Sequence, residues 1–534
     1  MSIKFHAVIT IAALTLTACS GGPSSEDDAG TLHRGNRLEP LTLDPHVAII
    51  MDERTIVADM FAGLYEPGPD ARPRLALAES ADVSDDGLVW TFHLRDANWS
   101  DGRPITADDV VFGLQRALDP LTRNQYPSPL FMIANAEAAA AGEVAVSEVG
   151  AAAIDDRTVE VRLNYPAPYL PSVLMYWGQP VPRHVVEEYG DAWIRAENIV
   201  VSGAFRLVEW RSSDFIHLTA NPEFFDAANV CLENVYFYPT VDTSAAERRV
   251  RNGELDLNVE FSGTNMGFLR ERHAGTVEIG PGLYIRDITF NTARAPFDDA
   301  RVRRALSMAI DRRFIADEVL AGADDPLFRL VPEGINGRLD GPRLNFADQD
   351  MTARREEAAR LLTDAGFGPD NPFEVVLAYQ PAAGWPRIAP VVQQDWAMIA
   401  PWVSAIVEVR DSQIHYDAMR AGDFEAATSA WVPDFDDPYA YLLQYESRAG
   451  EVNYSRWSHP EYDRIVAEAL GTADVAVRAQ MLAEAEQIFL DNAPTAPIFV
   501  ESTKQLVGER VEGWVTNPFS INPSRWLCVR SETE

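Results

Sequence analysis

The chain has 534 residues, of which 47% are apolar, 24% charged and 10% aromatic, enough for more than one domain with large buried cores. Its 45 basic against 81 acidic residues give a net charge of −36, which repels phosphate backbones and anionic lipid surfaces and excludes nucleic acid as an expected partner.

Lys4 precedes an uncharged run from Ala7 to Thr17, long enough for a signal-peptide core and too short to span a bilayer. The run ends in Leu16-Thr17-Ala18-Cys19, which is similar to the lipobox of bacterial lipoproteins. That resemblance implies a leader over residues 1–18 and a lipid on Cys19 that holds the protein at a membrane. The Ser, Gly and acidic residues that follow have the composition of a solvated tether, and residues 19–32 are assigned to it. No later run of about 18 or more apolar residues appears. After processing only Cys231 and Cys528 remain. In an oxidising compartment they form either one disulfide or two buried thiols.

In chain order, Leu41 to His46 reads as a strand leading into a helix near Ile56–Tyr65, and Val83 to Arg95 as a hairpin strand after an Asp86-Gly87 turn. Thr106 and Asp109 form a helix-start signature for Val110 to Leu118. Asn135–Ala153 is alanine-rich, a helix or a linker, and Arg157–Leu163 alternates as a strand. The Pro-rich passage 166–182 reads as an extended crossover with a domain boundary near 183. Asn198–Trp210 is a β-type run, Val235–Pro239 and Ile285–Phe290 are strands, and Ser244–Asn252 is a helix. Asp299 opens a helix, and Asp311 opens another reaching Gly322. Helices at 352–365, 388–399 and 478–492 and strands at 375–379 and 404–409 complete βαβ-like units. The class is α/β, and no fixed-period repeat is present.

The stretch Ala430-Trp431-Val432-Pro433-Asp434-Phe435-Asp436-Asp437-Pro438 follows a short apolar segment, Phe424–Trp431, that reads as a strand. Three carboxylates so close repel one another unless a cation sits nearby. A solvated turn is the plainer alternative, since Asp and Pro favour turns. A calcium loop is excluded by Tyr439 at the glycine position and Tyr445 at the bidentate-Glu position. There is no HExxH, GxSxG or P-loop pattern, and the nine histidines lack metal-ligand spacing, so no cofactor and no metal are expected. An exported acidic hydrolase using Asp434 with a second carboxylate is the competing class.

Taken together, Leu41–Pro45, Leu77–Ser80, Ser84–Leu88, Trp99–Val110, Pro182–Val186, Asn221-Pro222, Phe297–Leu306 and Trp431–Pro438 resemble, in order, the oligopeptide- and dipeptide-binding proteins of bacterial ABC importers. The resemblance runs from about Thr31 to Trp514. It implies a two-lobed periplasmic-binding-protein fold that closes about a hinge. Residues 33–62, 183–284 and 502–534 would form lobe I, 63–182 an extra domain on it, and 285–501 lobe II. Both Cys231 and Cys528 then fall in lobe I, which favours a bridge. A monomer is implied, with a peptide ligand and a membrane permease as partners. In such proteins an extended peptide pairs its backbone with strand edges while side chains enter hydrated pockets. Carried over, Asp434 would take the peptide α-ammonium, Ala430, Trp431 and Val432 would pair with its backbone, and Ile49, Ile50 and Met51 would face them from lobe I. A cysteine bridge found in close relatives falls on Tyr284 and Val432 and is absent. Two arginines that meet the ligand carboxylate fall on Met419 and Thr428, leaving Arg420 one residue away as the candidate. The same fold also serves opines, small saccharides and nickel complexes.

Overall fold

The computed structural model describes residues 30–261, 263 and 266–530; the leader, Cys19 and most of the tether lie outside the described residues. One eleven-stranded sheet runs through the molecule. From edge to edge its strands are Val403–Val409, Phe373–Tyr379, Ala426–Trp431, Val277–Phe290, Thr495–Val507, Leu257–Asn258, Thr31–Gly35, Asn234–Tyr238, Phe215–Ala220 and Phe205–Arg211, with Asp325–Pro326 attached to Thr495–Val507 off this path.

The two long strands, Val277–Phe290 and Thr495–Val507, form an antiparallel ribbon joining the lobes. Val277–Gly280 pairs with Thr503–Leu506 and Tyr284–Thr289 with Thr495–Glu501, and the register breaks between Gly280 and Tyr284. At that break the backbones come so close that a Cβ on Gly282 would lie 1.5 Å from the Glu501 carbonyl oxygen. Only glycine fits there.

A second sheet, ordered Ala78–Val83, Val89–Leu94, Thr158–Arg162, Ala151–Asp155, is antiparallel throughout. Trp90, Phe92 and Leu94 alternate inward along its second strand, and the helix Ala107–Ala117 buries Val110, Val111 and Leu114 in the same core. This unit is pinned to the segment Leu41–His46 by a buried ion pair, Arg116 to Asp44 at 2.6 Å, with the Trp193 indole also donating to Asp44 at 3.2 Å. Burial alone would raise the Asp44 carboxyl, but the Arg116 guanidinium outweighs it and holds the carboxyl below its usual range. Toward the loop 432–438 the contact is apolar: Tyr169 stacks on Phe435 with centroids 4.2 Å apart.

Several aspartates open helices. Asp242, Asp299, Asp350, Asp411 and Asp474 each accept a backbone N–H in the first turn of the helix that follows, satisfying donors that a helix leaves orphaned.

Several expectations need correction. Thr31 and Leu32, assigned to the tether, begin the first strand, because Leu32 is fully buried and pairs with Val235. Leu41–His46 is a turn region whose Asp44 serves the Arg116 pair, and the helix spans Met51–Met60. The alanine-rich stretch holds only the short helix Ala136–Ala140 before the strand at Ala151–Asp155. The Pro-rich crossover contains the helix Leu170–Leu174. The β-type run becomes a strand only at Phe205–Arg211. The helix opened by Asp311 continues after Phe314 as a π-helical turn, Ile315–Val319. Cys231 and Cys528 are joined in a disulfide with Cα atoms 5.3 Å apart. Among the described residues, no helix is long and apolar enough to cross a membrane and no group of three or more His, Cys, Asp or Glu side chains is placed to hold a metal.

Candidate functional site

The strand Ala426–Trp431 pairs along its whole length with Val277–Phe290, from Ala426 opposite Phe290 to Trp431 opposite Ile285. On its other side Phe373–Tyr379 reaches only Ala426 and Ala427. The Thr428 carbonyl is then taken by the His415 imidazole, with Nε2 at 2.7 Å. A carbonyl only accepts, so Nε2 carries the proton; burial pushes the imidazole below its usual range and keeps it neutral. Beyond that point, among the described residues, no strand covers Ser429 to Trp431 on this side. Such an open edge is a template for another extended chain.

The loop after this edge separates its three carboxylates. Asp437 is buried and bidentate to the buried Arg478, at 2.6 and 2.9 Å. Asp436 accepts the backbone N–H of Asn336 at 2.8 Å, while its own N–H donates to the Ser172 hydroxyl at 3.3 Å. Asp434 is half-buried and accepts a hydrogen bond from the Tyr126 hydroxyl. Burial pushes its carboxyl above the usual range, against the downward pull of Tyr126 and of the Arg54 guanidinium. The cation expected from the sequence is thus met for Asp437 by Arg478, so crowding of acids does not by itself point to a ligand. Asp434 and Asp436 have no direct ion pair among the described residues; Asp436 is met by the Asn336 N–H, which leaves Asp434 as the one with no backbone donor or cation in contact.

Arg54 is the second group that the sequence did not signal. It lies in the helix Met51–Met60, buried, donating to the Tyr176 carbonyl at 2.6 Å and the Ala48 carbonyl at 2.8 Å. Its guanidinium carbon sits 3.3 Å from the centroid of the Trp177 ring, whose neighbour is Tyr126 at 5.5 Å. Burial pushes Arg54 down to about 9. Tyr126 was missed because Arg123-Asn124-Gln125-Tyr126-Pro127 is a loop with no periodicity to read.

Between the lobes lies a cleft of about 680 Å³. Met51, Val432 and Pro433 line it; Asp434, the next residue in the chain, is not among the residues lining it. Ala430 and Trp431 are set back in the strand; the Trp431 indole donates to the Ala440 carbonyl at 2.7 Å and closes the loop rather than facing the cleft. The facing segment offers side chains rather than a strand edge, because Glu53 accepts the N–H groups of Ile49 (2.9 Å) and Ile50 (3.2 Å), and the Ile50 carbonyl accepts from Glu53 and Arg54 at the helix start. Arg420 is not brought to the site. It is exposed, salt-bridged to Asp417, and absent from the cleft lining; Met419 and Thr428 are buried.

The sequence pattern of bacterial extracellular solute-binding proteins, family 5 (middle), matches residues 72–453. The chain belongs to that family. It is 32% identical over 497 residues to the periplasmic oligopeptide-binding protein OppA of Salmonella typhimurium, covering 91% of this chain and 90% of the relative. The solved structure of the murein tripeptide-binding protein MppA in an unliganded open form superposes with a TM-score of 0.86 at 29% identity, covering 94% of this chain and 98% of that one. Haemophilus influenzae OppA in complex with the peptide RPPGFSPFR gives 0.75 at 28% identity, covering 94% and 99%. The two-lobed α/β fold is therefore that of periplasmic peptide-binding proteins, and the chain is a solute-binding protein rather than an enzyme.

Proposed function

We propose that this chain is the receptor of an ABC importer that captures peptides in the periplasm and hands them to a membrane permease. The observation that carries this reading is the uncovered edge of Ala426–Trp431 ending beside the half-buried, cation-seeking Asp434. A peptide laid against Ala430 and Val432 would extend the sheet by backbone hydrogen bonds, which fixes orientation without reading sequence. Its α-ammonium would reach Asp434, with Tyr126 holding the carboxylate in place. Ile49 and Met51 would cover it from lobe I, contributing contact surface. Closure would bend the Val277–Phe290 and Thr495–Val507 ribbon at Gly280–Tyr284, bringing residues 33–62, 183–284 and 502–534 toward 285–501. The better superposition on an unliganded open relative than on a peptide complex supports an open state for this structure. A lipid on Cys19 would keep the receptor beside its permease, and the lobes would work as a monomer.

The test is to identify what the purified protein retains. Ligand released by denaturation and analysed by mass spectrometry is expected to be peptide with a free amino terminus. An opine, a saccharide or a nickel complex as the only tightly held species would overturn the assignment.

A further inference from the structure

We propose that the cleft selects peptides with bulky apolar side chains and rejects cationic ones, a selectivity that rests on the peptide reading above. Two independent features of the cleft lead there. The first is apolar surface exposed on both walls. Met51 is 40% exposed on the helix Met51–Met60, and Tyr284 and Val432 are 37% and 53% exposed at the neighbouring strand ends, while Phe261, Leu320 and Phe519 line the same space. Large apolar groups facing each other across an open cleft gain only when something apolar comes between them. Tyr284 is also fixed in place: the Arg286 guanidinium carbon lies 4.1 Å from its ring centroid, and Arg286 is held by Glu501 at 2.6 Å.

The second feature is the charge pattern. Besides Arg286 and Glu501, the charged side chains lining the cleft are already matched to one another. Arg37 holds Asp52 at 2.8 Å with Glu260 at 3.8 Å, and Lys504 is paired with Asp324. Arg387 is the exception among the described residues; it donates to the Val319 carbonyl at 2.9 Å and has no carboxylate partner. A lysine or arginine side chain entering this space would find one loosely held acid, the half-exposed Glu260 at 3.8 Å from an Arg37 already engaged by Asp52, and elsewhere would have to break an existing pair. An anionic group has one prospective partner, Arg387. An apolar side chain breaks nothing and covers the exposed walls.

The test is calorimetry on the ligand-free full-length protein with trialanine, trileucine and trilysine at physiological salt. Uniform peptides put the same side chain at every position, so no assumption about register enters. Trileucine is expected to bind at least about tenfold more tightly than trialanine, which is the scale of burying a few methylenes per ligand. Trilysine is expected to bind at least about tenfold more weakly than trileucine, even though a chain of net charge −36 attracts cations over its whole surface. Tyr284→Ala should narrow the ratio of trileucine to trialanine affinity. Affinities equal within about threefold across the series would overturn this selectivity and leave the peptide reading standing, as would a preference for trilysine. Failure of all three peptides to bind, with a retained non-peptide ligand, would sink both readings together.

Discussion

Asp434→Asn separates a ligand-binding carboxylate from a structural one. The side chain is half-buried, hydrogen-bonded by Tyr126, and raised by burial because no cation touches it directly. Arg54 stabilises it from a distance but is committed to the Tyr176 and Ala48 carbonyls and to the Trp177 ring. Removing one partner of a fully buried ion pair costs about 3–5 kcal/mol, whereas an exposed pair is worth about 0–1 kcal/mol. Asp434 starts between these limits and moves toward the first as the lobes close, so the expected loss is about 3 kcal/mol, roughly a hundredfold in Kd. Asparagine still accepts the Tyr126 hydroxyl, so the melting temperature should barely move. Calorimetry with a peptide and its N-acetylated twin supplies the control: the wild type prefers the free amine and the Asn variant loses that preference. The raised carboxyl adds a pH signature. The ammonium binds the ionised form, so affinity falls as pH drops through the Asp434 pKa, beginning above the range of an ordinary aspartate, and the Asn variant lacks this fall. Equal binding of both peptides by both proteins, or a large drop in melting temperature with affinity unchanged, would show that Asp434 serves Arg54 and not a ligand.

Gly282→Ala should destabilise the protein by more than about 2 kcal/mol in chemical denaturation, because its Cβ would overlap the Glu501 carbonyl across the inter-lobe ribbon; an unchanged midpoint would mean the ribbon is looser than described. Glu486 accepts the Leu330 and Val331 N–H groups at 2.9 Å, and burial pushes it up to about 7. A raised carboxyl binds its proton more tightly when folded, so the stability it contributes is present below the unfolded value and is lost as pH rises through 7. Glu486→Gln, which keeps the acceptor, should therefore be up to about 3 kcal/mol more stable than wild type at pH 8 and equal to it near pH 4.5; thermal melts showing the same gap at both pH values would refute this. Cys19→Ala should release the protein from the membrane fraction or block its processing, and a processed variant that still sediments with membranes would remove the lipid anchor from the proposal.

The sequence made legible those features that repeat locally. Alternation gave the strand at Val89–Leu94, Asp before an apolar period gave the starts at Asp299 and Asp311, and the run Trp431–Pro438 drew attention to the loop that carries Asp434. What it hid was set by contacts distant along the chain. The strand expected at Ile285–Phe290 begins at Val277, running through Gly280, Pro281 and Gly282, and at Gly282 the two long strands pass too closely for a side chain. Asp44 and Arg116 are 72 residues apart, and nothing in either neighbourhood announces the pair.

The helix Met51–Met60 is the sharpest case and carries the main argument for where function sits. Asp52, Glu53, Arg54 and Asp59 are all buried, although such residues read locally as a solvated face. Three are met by contacts outside the helix, Asp52 by Arg37, Glu53 by the N–H groups of Leu41, Ile49 and Ile50, and Arg54 by two carbonyls and an indole; Asp59 is met at one oxygen by the Ser524 N–H, its other oxygen has no hydrogen-bond partner, and burial pushes it up to about 6. Burying four charged groups in ten residues is costly unless each is satisfied. The first turn of this helix lines the cleft at Met51, and these contacts hold it against neighbours on which a purely apolar helix would be free to slide. Under the receptor reading proposed above, so densely contacted a helix would form the stationary side of the cleft, and Asp434 would be the carboxylate that a ligand engages.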